Sequence, residues 1–94
     1  MSDITATTVT ADGVAVALPA RVKSIYYIRG SSAGSIVLKD GGSGGTTLLT
    51  LTTPGAGSGV DAANTMSIPS DGIRFSTNVY VDVTNVTSVT LFHA

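Results

Sequence analysis

One histidine, six aspartates and twenty-five hydroxyl side chains are the groups in this chain that could take part in a reaction. His93 stands next to the last residue. A general base or metal ligand needs companions held at fixed geometry, and a chain end is a poor place to hold them. His93 is therefore read as a solvated or interface residue. The aspartates show neither the sequence pairing of catalytic carboxylates nor a calcium loop; Asp12, Asp40 and Asp71 each precede a glycine, where Asp is favoured for backbone reasons. A calcium ion shared between loops is the alternative role for them. A serine or threonine becomes a nucleophile only beside an activating base, so the hydroxyls are read as the solvent face of a sheet. The expectation is a chain that is not an enzyme and uses no cofactor and no metal.

The aromatic side chains offer a different chemistry. Tyr26, Tyr27, Tyr80 and Phe92 could stack against a sugar, but such rings also supply the large apolar contact area of cores and interfaces. The interface reading is preferred for them, together with Ile4 and Val9 in the Thr-rich amino-terminal stretch. Pro54-Gly55-Ala56-Gly57-Ser58-Gly59 invites comparison with a phosphate-binding loop. That mechanism requires a helix start and a lysine after the glycines, and neither follows.

The elements that would position these groups are strands. The chain carries 14 Thr, 11 Ser, 11 Val and 11 Gly, but no Glu, Gln or Trp. β-Branched residues fit strands, and the long straight-chain residues that favour helices are scarce. Residues 21–53 read as three strands separated by two glycine-serine turns, 30–34 and 40–45, of hairpin length. In the first strand Lys23, Ile25, Tyr27 and Arg29 share one face, and Val22, Ser24, Tyr26 and Ile28 the other. Ile36 with Leu38, and Leu49 with Leu51, give the half-buried pattern of an antiparallel sheet. Val14, Val16 and Leu18 alternate with Ala15 and Ala17 in a strand expected to be covered on both sides and ended by Pro19. Met66 and Ile68 share a face. Ile73, Phe75, Val79, Val81 and Val83 have one parity, with a turn expected at Ser76-Thr77-Asn78, and another at Asn85-Val86-Thr87 before Val89 and Leu91. Seven to nine short strands at this spacing predict a compact, all-β antiparallel sandwich or small barrel with essentially no helix. Residues 1–11 read as an amino-terminal arm or edge strand, and 12–94 as one β-sandwich domain.

A formal charge of -1 gives no electrostatic case for nucleic acid or an anionic membrane. No apolar run approaches the roughly 20 residues that span a bilayer, and the start of the chain lacks the pattern of a cleaved secretion signal. A domain this short, with no cysteine, lacks the usual staples of small folds. Self-association is the expected compensation, with a trimer preferred.

Arg21-Val22-Lys23-Ser24-Ile25-Tyr26-Tyr27, Gly34-Ser35-Ile36-Val37-Leu38-Lys39-Asp40-Gly41 and, later, Gly72-Ile73-Arg74-Phe75 with Val79-Tyr80-Val81 give the chain its family likeness. Over roughly residues 20–92 it resembles small virion structural proteins of tailed bacteriophages, especially those of marine and cyanobacterial hosts. The resemblance implies a many-copy component of the particle, made in the host cytoplasm: a capsid decoration or cement protein whose partners are itself and the major capsid protein or another virion protein. A tail or fibre component with a carbohydrate- or receptor-binding surface is the alternative. The resemblance carries no catalytic residues.

Overall fold

The computed structural model describes residues 4–94 as nine antiparallel strands in two packed sheets, with no helix among them. The strands are β1 (Thr5–Val9), β2 (Gly13–Val16), β3 (Ala20–Arg29), β4 (Gly34–Asp40), β5 (Thr46–Thr53), β6 (Ala63–Ser67), β7 (Ile73–Phe75), β8 (Val79–Thr84) and β9 (Val86–His93). Sheet A runs β1-β9-β3-β6, with β7 beside β6 on the same edge of β3, and sheet B runs β2-β8-β4-β5. The smallest principal extent, 18 Å, is that of two layers spaced about 10 Å apart. The fold is a compact β-sandwich.

Alternation supplies the core. Val22, Ile25, Val89 and Leu91 from sheet A meet Ile36, Leu38, Val79 and Val81 from sheet B, with Phe75 among them, all fully buried. Burying each such side chain contributes roughly 1.5–3 kcal/mol. Ile73 and Val83 pack against the same cluster, so the shared parity of residues 73–83 holds. It does so across a change of layer, because β7 lies in sheet A and β8 in sheet B.

Three sequence expectations are corrected by pairing. Residues 21–53 do not form a three-strand meander: β4 and β5 are a hairpin, but β3 and β4 lie in opposite sheets. The first turn is thus a corner between layers. It sits against the β8–β9 corner, where Gly30 N–H donates to Asn85 O (3.0 Å). A Cβ on Gly30 would meet Asn85 O, and one on Gly34 would meet Thr84 O, so only glycine permits this approach.

The faces of β3 differ next. Val22 and Ile25 both point inward because the register with β9 slips by one residue at Lys23. An extra residue in one strand reverses the parity beyond it. Similar slips leave Ala15, Leu48 and Thr87 as extra residues in β2, β5 and β9.

β2 is the third correction. It ends at Val16, and its bulge turns Ala15 and Val16 toward the core. Val14 and Leu18, expected to be covered, are 50% and 70% exposed within the chain.

The amino-terminal stretch, from Thr5 onward, is an edge strand of the chain's own sheet A, paired with β9 from Thr5↔His93 to Val9↔Val89. Residues 1–3 of the expected arm lie outside the described residues.

Candidate functional site

Opposite the core, sheet A presents three cross-strand rows. Thr8, Thr90, Tyr26 and Thr65 form the first; Ala6, Phe92, Ser24 and Ser67 the second; Ser88, Ile28 and Ala63 the third. None of these residues is Asp, Glu, Lys, Arg or His. Thr8 Oγ1 and Thr90 Oγ1 share a 2.7 Å hydrogen bond across the strands, so part of the hydroxyl surface is satisfied internally. Tyr26 is 36% exposed and Phe92 half-buried. Their register, Tyr26↔Thr90 and Phe92↔Ser24, makes them diagonal neighbours, within reach of each other for aromatic side chains. Lys23, the extra residue of β3, stands beside Ser24, and the arginines sit at the ends of this face. Arg21 and Arg74 are paired across β3 and β7, and Arg29 lies at the other end of β3, donating to Asp61 O (3.1 Å) and Gly30 O (3.2 Å). An uncharged centre with arginines at the margin is the composition of a protein interface.

The six expected interface residues do not form one surface. Tyr26 and Phe92 share the outer face of sheet A. Ile4, just before β1, is exposed at 54%. Tyr80 pairs with Val14 and Lys39 on the outer face of sheet B, on the far side of the sandwich. Tyr27 is in the core, and Val9 is partly buried against it at the end of β1. The slip at Lys23 decides Tyr27's fate: the sequence contains two adjacent tyrosines and no signal for which turns inward. A stacking platform of four rings is reduced to a pair.

His93 is the clearest departure from expectation. It is 8% exposed, on the inner face of sheet A, and its Nε2 shares a 2.9 Å hydrogen bond with Thr7 Oγ1. Burial disfavours the imidazolium and lowers its pKa below the ordinary value. Pairing of both β1 and β3 with β9 fixes this residue near the carboxyl end; chain position alone did not reveal it.

A polar clasp also escaped the sequence. The Asp40 carboxylate accepts hydrogen bonds from the backbone N–H groups of Ser76, Thr77 and Asn78 and from Ser76 Oγ, at 2.8–3.4 Å. Asn78 Oδ1 in turn accepts from Gly41 and Gly42 N–H, each at 3.1 Å. The Thr77 and Ser76 donors hold the Asp40 carboxyl below the usual carboxylate range. Gly41 and Gly42, with φ of 104° and 90°, present their N–H groups by a backbone path that side chains resist. The turn expected at Ser76–Asn78 is held by a carboxylate 36 to 38 residues away in the chain. The clasp joins the β4–β5 hairpin to the crossing between layers, which is a structural task.

No group of three His, Cys, Asp or Glu side chains converges among the described residues. One buried polar atom among them, Thr53 Oγ1 at the end of β5, has no hydrogen-bond partner. No family model, curated protein or solved structure matches the chain.

Proposed function

We propose that this chain is a non-enzymatic structural protein of a phage particle, a capsid decoration or cement protein that docks on the capsid lattice and associates with copies of itself. The observation that carries the reading is the outer face of sheet A: three rows of uncharged side chains that include Tyr26 and Phe92, with Lys23 beside the row of Ser24 and arginines at the two ends. Aromatic anchors at the centre of an uncharged patch are where interfaces concentrate their binding energy. Repetition over a symmetric lattice turns weak individual contacts into firm attachment. The resemblance in the strand-and-turn pattern points to the same use. Mass spectrometry of purified particles, from the phage whose genome encodes the chain, should find it in many copies. Its absence from particles, with no binding of the purified chain to particles lacking it, would sink the reading.

The second reading is a tail or fibre component that holds a carbohydrate. Its support is the diagonal neighbouring of Tyr26 and Phe92 on one exposed face. A glycan array decides it: binding lost in Tyr26→Ala with the fold intact supports it, and no signal from the intact protein removes it.

A further inference from the structure

The sandwich has an edge that is built to be continued. β5 is eight residues long, Thr-Thr-Leu-Leu-Thr-Leu-Thr-Thr, and among the described residues β4 is its one hydrogen-bonded neighbour. Every second residue of an edge strand turns its N–H and C=O away from the sheet, offering a template for another strand. Proteins blunt such edges with lysines, prolines, inward charges, β-bulges or very short strands. β5 has the single bulge at Leu48 but no lysine, proline or inward charge, and no ionisable side chain occurs between Asp40 and Asp61. The other free edges are shorter: β1 and β6 have five residues, β2 four and β7 three. Leu49 and Leu51, on the inner face of β5, are packed against the core but only partly buried, because no further strand of sheet B covers their open side.

We propose that β5 pairs antiparallel with β5 of a second copy about a two-fold axis through Thr50, joining two B sheets into one eight-stranded sheet. The sequence of the strand selects this occupant. With Thr50 opposite Thr50, Leu49 falls opposite Leu51 of the second copy and Leu51 opposite its Leu49. Leu38 pairs with Leu49, and Ile36 with Leu51, within the chain. The inner rows therefore continue across the axis as Leu38, Leu49, then Leu51 and Ile36 of the second copy. On the outer face Leu48, the extra residue of the β5 slip, meets Thr52 of the second copy. Every facing pair is Leu–Leu, Thr–Thr or Leu–Thr, so no like charges oppose one another across the dyad. An isologous contact requires one patch to complement itself, and this strand reads almost the same in both directions. The trimer preferred for a virion structural protein would need a different, head-to-tail contact.

The test uses the purified full chain and does not depend on any particle. Sedimentation equilibrium should find a dimer. Thr50→Lys, at an exposed position, places two ammonium groups face to face and should weaken dimerisation roughly tenfold or more while circular dichroism stays unchanged. The chain has no cysteine, so single cysteines report register without interference. Thr50→Cys should oxidise to a disulfide-linked dimer, since directly opposed residues lie about 4.5–5.5 Å apart between Cα atoms, within disulfide range. Thr46→Cys should not, because its two copies would be eight positions apart, roughly 27 Å at about 3.4 Å per residue. The cysteine pair decides the matter if Thr50→Lys fails to fold. A wild-type monomer at millimolar concentration, a dimer or trimer indifferent to Thr50→Lys, or cross-linking at Thr46 in place of Thr50 would each overturn the proposal.

Discussion

Sheets A and B both fill their shared interior with Val, Ile and Leu, to which sheet A adds Tyr27, Phe75 and His93, and they differ more in what they turn outward. Sheet A shows Ser, Thr, Ala and Ile28 around Tyr26 and Phe92, with Lys23 beside Ser24 and arginines at its ends. Sheet B carries Lys39 and Asp82 within its outer face, 4.0 Å apart, beside Tyr80, Val37 and the exposed Val14. An exposed pair of this kind contributes little to stability, yet its two charges make burying that face against an apolar partner costly. On the proposed reading face A is the docking surface, whereas sheet B contributes its uncharged edge, β5. Aromatic count alone would not separate them, because Tyr80 lies on B.

The division breaks most visibly if core and surface substitutions behave alike. Phe75→Ala, in the interior both layers share, should cost about 3–5 kcal/mol in a denaturant titration. Tyr26→Lys should move stability by no more than about 0.5 kcal/mol yet abolish attachment to particles, whereas Tyr80→Lys should leave attachment intact. Equal loss from both tyrosines would end the distinction between the faces.

Acidification sharpens it from inside. His93 has a folded pKa below its unfolded value, so the unfolded chain binds the proton more readily. Stability from this residue is full above the usual histidine pKa near 6.5 and is lost as pH falls through the lowered folded value. Asp40, whose folded pKa is also lowered, should add a second loss in acid below the usual aspartate pKa. Thermal melts across pH check both, with His93→Gln expected to remove the first step and Asp40→Asn the second. The smallest effect belongs to β5: Thr53→Val, which removes the orphaned hydroxyl at nearly constant shape, should be neutral or stabilising by up to about 1 kcal/mol in the same denaturant assay.

Much of the fold was legible because strand and turn chemistry is local. Val, Thr and the period-two runs around Ile36, Leu49 and Phe75 specify strands wherever they end up, and Asp40-Gly41 and Ser70-Asp71-Gly72 mark reversals through their own backbone preferences. Little of the candidate surface was legible. Tyr26 and Tyr27 are indistinguishable in sequence, and Ile4, Val9, Tyr80 and Phe92 carry no mark of the layer or face they occupy.

The sequence by itself determined that this chain would be strands and turns packed on aliphatic parity, since those preferences are settled within a few residues. Tertiary structure alone decided which strands pair, and so placed β3 and β4 in opposite layers, His93 inside, and Asp40 against the 76–78 corner. Pairing is a contest between segments far apart in the chain. One extra residue in a strand, as at Lys23, exchanges inside for outside along all that follows.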